Sequence, residues 1–314
     1  MKLSNLFLEN LARDNKEFLN LLDLTAKVHG ENRQAVGKAD QAFWNEDFFH
    51  LSNSSIWKSL TDEKKKQVLV RLSQKILQEA YFIECAGMAY AGKMNLAAKT
   101  KEERAFFCFV GEEEAKHLRL IESLTIFNTS LSDIPSFALL IGEIIQEASK
   151  PSHLLLIQIL LEGWGLHYYK SLAKASMDEV VANAFKSILK DEIRHHSAGV
   201  LLFSSHKTQL GLTSGEVAEF MDYLERIAFM VRIGPYGSCE EIFKQLGVQG
   251  TPEKLETLLT ETEAVSKTTE KLEVLEQLLR KSLPDEVMKS IREKGILKPL
   301  NLKEMTQVLA QSIL

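Results

Sequence analysis

Apolar side chains recur at helical spacing along most of the chain, and strand-like alternation is scarce. Residues three and four apart share a helix face, so the pattern predicts a nearly all-α protein. Four long helices are expected, over about residues 62–94, 100–127, 152–175 and 176–205. A longer crossover, about residues 128–151, separates the two pairs and holds its own apolar segment, Phe137 to Ile145. The order hairpin, crossover, hairpin predicts a four-helix bundle with one long crossover.

Capping residues predict where these helices begin. Thr61 precedes two acidic residues, and Thr100 to Glu103 and Ser176 to Glu179 both match the capping-box pattern. We therefore predict three parts: N-terminal helices that pack on the bundle (1–61), the bundle itself (62–205), and a C-terminal helical extension (206–314).

The flanking parts give weaker signals. A first helix is expected over Leu6 to Val28, and a long one over Pro252 to Leu283 with a solvated Lys/Glu face. The N-terminal part also holds an aromatic cluster that is expected to pack against the main domain: Phe43, Trp44, Phe48, Phe49 and Trp57.

Composition narrows the class of protein. The 314 residues are 45% hydrophobic and 26% charged, which is enough for a sizeable core. A net charge of −5 offers no generally basic surface for nucleic acid. Three cysteines without a Cys-x-x-Cys argue against a disulfide scaffold or a zinc ribbon and favour the cytoplasm. Early charged residues and short apolar runs predict neither a signal peptide nor a membrane span.

Two Glu-x-x-His motifs carry the candidate chemistry, at Glu114–His117 and Glu192–His195. Each aims a carboxylate and an imidazole at one point, because residues three apart share a helix face. A further glutamate stands thirty residues before each motif, at Glu84 and Glu162. All three pairs of positions (84 and 162, 114 and 192, 117 and 195) are separated by 78 residues. Gly87 also aligns with Gly165, and Tyr90 with Tyr168.

The common separation predicts two copies of one helix hairpin that bring four carboxylates and two imidazoles together. Glu84 interrupts an apolar stripe, and Glu162 follows an apolar run. An unpaired carboxylate there would be costly, and a bound cation offsets that cost. Glu79, about 140° around the helix from Glu84, is expected at the surface. Glu112 and His196 have no counterpart in the other half, and His153 and His167 are expected to be ordinary polar residues. A bundle with buried ion pairs is the alternative.

On these motifs the chain resembles the ferritin-like di-iron carboxylate superfamily, over about residues 62–205. The resemblance implies six metal ligands: Glu84, Glu114, His117, Glu162, Glu192 and His195. It further implies that Glu114 and Glu192 bridge two metals, while Asp191 and Glu113 hold the ligand histidines. Mixed carboxylate and imidazole ligation suits two iron ions, or a mixed manganese/iron pair, better than zinc.

The resemblance implies an O₂-activating oxygenase or oxidase that acts on a small organic substrate. No flavin or nicotinamide fingerprint is present, so a ferredoxin or reductase is expected to supply electrons. Ile121 stands four residues after His117, where a radical tyrosine is usual in the ribonucleotide reductase small subunit. This argues against a tyrosyl radical of that type, and a radical or manganese/iron oxidase protein like that subunit is kept as the alternative. A non-enzymatic metal-binding or partner-binding helical protein is the alternative from another class, and a homodimer is left open. Gly87, Gly163 and Gly165 serve either close helix packing or room for substrate.

Overall fold

The computed structural model describes residues 16–28, 41–124, 134–210, 213–247 and 250–313. Their regular structure is helical, without a strand, which confirms the all-α prediction. Residues 6–15 of the first predicted helix and 125–133 before the crossover helix lie outside the described residues. No helix within the described ranges combines the length and apolarity that crossing a membrane requires.

The four long helices begin and end close to the predicted positions, except that residues 154–161 of the third are π-helical. In chain order they are α1 (Lys16–Val28), α2 (Ser55–Lys58), α3 (Asp62–Ala97), α4 (Lys101–Leu124), α5 (Ser136–Glu147), α6 (Lys150–His153), a π-helical segment (Leu154–Leu161), α7 (Glu162–Ala175), α8 (Glu179–Leu210), α9 (Ser214–Arg232), α10 (Tyr236–Leu246), α11 (Pro252–Glu261), α12 (Ala264–Arg280), α13 (Asp285–Glu293) and α14 (Leu302–Ile313).

The chain forms two compact units, which are described separately. Unit 1 comprises Met1–Ala39 and Gln74–Ala148, and unit 2 comprises Asp40–Ser73 and Ser149–Leu314. Unit 1 contains α3 from Gln74 onward together with α4, and unit 2 contains α7 with α8. The division at residues 61/62 and 205/206 stays a prediction.

In unit 1, α3 and α4 pack as antiparallel neighbours. The ring of Tyr90 meets that of Phe107 edge-on, with centroids 6.2 Å apart. Near the connection, Asn95 Nδ2 donates to the Arg104 carbonyl at 3.1 Å. Thr100 Oγ1 accepts from the backbone of Glu103 at 3.1 Å, so the predicted capping residue does start α4. These contacts hold the hairpin that carries Glu84 and the first Glu-x-x-His.

In unit 2, aromatic side chains fix the second hairpin. Tyr169 of α7 and Phe185 of α8 lie with ring centroids 5.5 Å apart. Trp44 is fully buried, its ring lies 6.0 Å from Phe185, and its Nε1 donates to the Leu172 carbonyl at 3.0 Å. The predicted packing role of the aromatic cluster is confirmed for this residue.

The start of α8 corrects one prediction. Asp178, not Ser176, caps this helix, because Asp178 Oδ1 accepts from the backbone of Val180 at 2.9 Å and of Val181 at 3.1 Å. Ser176 Oγ instead accepts from the backbone of Asp178 at 3.2 Å. Aspartate is as good an N-cap residue as serine, so the sequence pattern alone did not separate the two.

The long helix predicted from Pro252 to Leu283 is also wrong in part. It divides into α11 and α12 at Thr262 and Glu263, where Glu263 adopts a left-handed φ of 53°. The hydroxyl of Thr262 donates to the carbonyl of Leu258 at 2.7 Å. Neither glycine nor proline stands at this break, so no residue there signals the end of a helix.

A carboxylate caps the short helix α6 from another element of unit 2. Glu219 of α9 accepts from Ser149 Oγ at 2.6 Å, from Ser149 N at 3.1 Å, and from Ser152 Oγ. Burial alone would raise the pKa of Glu219, but these hydrogen bonds stabilise the carboxylate and the pKa lies below its ordinary value. This contact anchors the chain just before the π-helical segment.

Candidate metal centre

Unit 1 brings three of the predicted ligands together. Glu84 comes from α3, and Glu114 and His117 come from adjacent turns of α4. His117 Nδ1 lies 3.4 Å from Glu84 Oε2 and 3.9 Å from Glu114 Oε2. The three residues are only 1%, 4% and 2% exposed. Each offers a ligand atom within 4.8 Å of the others, so they form one buried group of donors.

Unit 2 holds the matching group. Glu162 is the first residue of α7, and Glu192 and His195 lie one turn apart on α8. His195 Nδ1 lies 3.1 Å from Glu192 Oε2, and the three residues offer ligand atoms within 4.8 Å of one another. Glu192 and His195 are 4% and 0% exposed, whereas Glu162 is half-buried. The second group is therefore the more accessible of the two at its first glutamate.

The geometry and chemistry of each group fit a divalent cation. Two donors that bind the same metal at about 2.1 Å lie roughly 3 to 4 Å apart, which matches the 3.1, 3.4 and 3.9 Å between the donor atoms of the two groups. Two carboxylates and a neutral imidazole leave a charge that one divalent ion balances. Buried carboxylates without such a partner would be unfavourable. Each Glu/His group could therefore bind a metal ion.

Gly87 makes room for the carboxylate of Glu114. A Cβ built on Gly87 would lie 2.7 Å from Glu114 Cδ and nearer still to Oε2. Its counterpart in the repeat differs, since a Cβ on Gly165 would meet nothing within 4 Å. Of the two alternatives left open for these glycines, close helix packing is favoured at Gly87, because the Glu114 side chain of α4 fills the space beside it.

The neighbouring candidates are placed as follows. Glu79 and Glu112 belong to neither group of donors, and Glu112 pairs with Lys116 at 2.8 Å. Cys85 adjoins Glu84, and burial raises the pKa of its thiol to about 12, so it is a neutral thiol near pH 7. Ile121 is fully buried in the core of unit 1.

The roles predicted for Asp191 and Glu113 stay predictions. Asp191 is half-buried and pairs with Arg194 on the same helix, and Glu113 is half-buried on α4. His153 is buried, whereas His167 is exposed.

Sequence reasoning missed two polar residues that contact the second group or its neighbour. Gln158 is fully buried within the π-helical segment, and its Nε2 donates to the carbonyl of His195 at 3.3 Å. His196, set aside because it has no counterpart, bonds through Nδ1 to the carbonyl of Gln158 at 3.2 Å. A polar glutamine inside the apolar run 154–161 was the available signal.

Comparison with known proteins gives no relative: no protein-family model, no curated protein and no solved structure matches this chain.

Proposed function

We propose that the two donor groups form one two-metal centre, and that the protein is an O₂-activating non-haem di-iron oxygenase or oxidase. One observation carries this proposal. Each hairpin holds a glutamate and a Glu-x-x-His whose ligand atoms converge within 4.8 Å, at positions separated by the same 78 residues. A glutamate from each of two helices with Glu-x-x-His from each of two others is the donor set of carboxylate-bridged sites in helix bundles.

The six residues divide into three matched pairs in this proposal. Glu114 and Glu192 would hold both metals, His117 and His195 would each hold one, and Glu84 and Glu162 would each supply a further carboxylate. Their four carboxylates balance the charge of two divalent ions, which favours both ions being bound together. Asp191 and Glu113 would accept from the second ring nitrogen of the ligand histidines and so fix their tautomers.

Bound iron would supply the electron transfer to O₂ that oxidises the substrate. The protein's own residues would hold the metal ligands in position and exclude water from the site. Glu84, Glu114 and His117 are each less than 5% exposed, so water is excluded around them. Because Gly87 has no side chain, the Glu114 carboxylate can occupy the space beside it. In unit 2, the half-buried Glu162 is the proposed ligand that solvent reaches most readily.

The substrate proposed is a small organic molecule, and the reaction is hydroxylation, N-oxygenation, desaturation or oxidative cleavage. A separate ferredoxin or reductase in the cytoplasm would return electrons. A manganese/iron pair remains the alternative metal content, because both ions accept this donor set.

The proposal is tested with full-length protein purified without O₂. We expect about two iron ions per chain, and a change in the visible spectrum together with O₂ consumption when O₂ and a reductant are added. Glu114→Gln should lose most of the bound metal. Glu112→Gln is the matched control, because Glu112 lies on the same helix and pairs with Lys116; it should retain both ions.

Two outcomes would count against the proposal. A folded, metal-free protein whose Glu114→Gln variant behaves like Glu112→Gln would refute the metal centre. Two tightly bound ions that never react with O₂ would favour a structural metal-binding protein instead. X-ray absorption at the iron and manganese edges would decide the metal content.

A further inference from the structure

The two donor groups are reached by different kinds of helix. Residues 76–83, which precede Glu84, lie within the α-helix α3. The corresponding residues 154–161 form the π-helical segment, and the backbone N–H of Glu162 donates five residues back to the carbonyl of Ile157. This bond has the i to i+5 pattern of a π-helix. The register of Glu162 on its helix therefore depends on the π-helical segment.

Two reciprocal hydrogen bonds hold this segment against α8. Gln158 Nε2 donates to the carbonyl of His195 at 3.3 Å, and His196 Nδ1 lies 3.2 Å from the carbonyl of Gln158. A carbonyl oxygen only accepts, so His196 must carry its hydrogen on Nδ1. The bonds join a residue one turn before Glu162 to the ligand His195 and its neighbour.

Two glycines allow this close approach. A Cβ on Gly163 would lie 2.9 Å from His196 Cε1 and 3.0 Å from Nδ1. A Cβ on Gly199 would lie 2.5 Å from the Cβ of Gln158. The distances of 2.9 and 2.5 Å are too short for a real Cβ, so a side chain at either position would force His196 or Gln158 to move.

None of these four residues is repeated in the first half. At the separation of 78 residues, Gln158, Gly163, His196 and Gly199 correspond to Ala80, Cys85, Leu118 and Ile121. Apolar or larger side chains replace the hydrogen-bonding pair and the two glycines. The contact is therefore a feature of the second half alone, although the ligands themselves are duplicated.

We propose that Gln158 and His196 are positioning residues, which set Glu162 relative to Glu192 and His195 for metal binding in the second group. The inference rests on the two-metal centre proposed above and assigns two residues that support it. It also explains why a polar residue, Gln158, is buried in the core. Gln158 is fully buried, and within the described part of the chain its Oε1 has no hydrogen-bond partner. A buried amide with an unsatisfied oxygen does not favour stability. We therefore assign Gln158 a role in positioning its neighbours rather than in stabilising the fold.

The test measures Co²⁺ binding by the full chain, because the visible bands of Co²⁺ report its coordination directly. The variants are Gln158→Met and His196→Leu, which remove one hydrogen bond each, and His196→Asn, whose amide nitrogen can replace Nδ1 as donor. His167→Asn is the control, since His167 is an exposed histidine of the same unit. Thermal unfolding of the metal-free proteins is measured in parallel.

We expect the wild type to bind two Co²⁺ ions. Gln158→Met and His196→Leu should bind one of them about 10- to 100-fold more weakly, with an altered spectrum. His196→Asn should restore binding, His167→Asn should match the wild type, and metal-free Gln158→Met should be no less stable. Wild-type affinity and spectrum in both Gln158→Met and His196→Leu would overturn the inference, as would binding by His196→Asn as weak as that of His196→Leu. If His196→Leu does not fold, Gln158→Met decides alone. Failure of the wild type to bind Co²⁺ would refute the two-metal centre itself and the inference with it.

Discussion

Gly87→Ala is expected to weaken metal binding without weakening the fold. The new Cβ would lie 2.7 Å from Glu114 Cδ, whereas carbon atoms prefer about 3.5 Å or more. The Glu114 carboxylate must therefore move by about 0.8 Å within a site where it is only 4% exposed. A displacement of this size at a ligand is expected to lower metal affinity about 10- to 100-fold, or about 1.4 to 2.8 kcal/mol.

Two glycines of the chain provide matched controls. A Cβ on Gly92 of α3, or on Gly165 of α7, would meet nothing within 4 Å. Alanine is favoured over glycine inside a helix by about 1 kcal/mol. Gly92→Ala and Gly165→Ala should therefore raise the free energy of unfolding by roughly 0.5–1 kcal/mol and leave metal affinity unchanged.

The assay pairs two measurements on each variant. Denaturant unfolding of the metal-free protein gives stability, and calorimetric titration with Co²⁺ or anaerobic Fe²⁺ gives affinity. We expect Gly87→Ala to show the affinity loss with little loss of stability, since the end of the Glu114 side chain can rotate away. If Gly87→Ala binds metal as tightly as Gly92→Ala does, the argument that Gly87 makes room for a ligand is refuted.

Three further predictions concern the scaffold. Trp44→Phe should lower the free energy of unfolding by about 2–4 kcal/mol, because it leaves a cavity and removes the hydrogen bond to Leu172; a cost below 0.5 kcal/mol in denaturant unfolding would contradict this. Asp178→Ala should cost about 1 kcal/mol, and clearly more than Ser176→Ala, if Asp178 is the N-cap of α8; urea unfolding compares the two. The pKa of Glu219 is lowered in the folded protein, so its carboxylate stabilises the fold above its ordinary pKa, and this stability is lost as the pH falls through the folded pKa. The difference in free energy of unfolding between wild type and Glu219→Gln should therefore be large at pH 7 and shrink in acid. A difference that does not change with pH would contradict this prediction.

The residues of the candidate site could be predicted because a repeat encodes them. Glu84 and Glu79 are chemically alike, but the separation of 78 residues and the apolar stripe around it selected Glu84, which is 1% exposed and belongs to the first donor group. The same separation selected His195 over His196. The helices were predictable for a similar reason, since apolar spacing and caps such as Thr100 and Thr213 are local properties of the chain.

Three features of the fold were not predicted from the sequence. They depend on contacts between segments distant in sequence, or on backbone conformations that no residue type indicates. The run Leu154–Leu161 is apolar at seven of its eight positions, so neither an α- nor a π-helix is favoured by its pattern. The left-handed Glu263 interrupts a helix without glycine or proline. The N-cap of α8 depended on which of two suitable side chains, Ser176 or Asp178, meets the free backbone N–H groups.

The repeat therefore predicts which residues form the two Glu/His groups, but not how those residues are held. Glu84 and Glu162 are equivalent in sequence, yet one is buried on an α-helix and the other is half-buried after a π-helical segment. Duplicated ligands on identical helices would give two equivalent groups. The pair Gln158 and His196, which the first half lacks, makes the second group different. Two inequivalent metal positions suit a centre in which one position is shielded and the other is open to a reactant, and this asymmetry is what the Co²⁺ titration of the Gln158 and His196 variants measures.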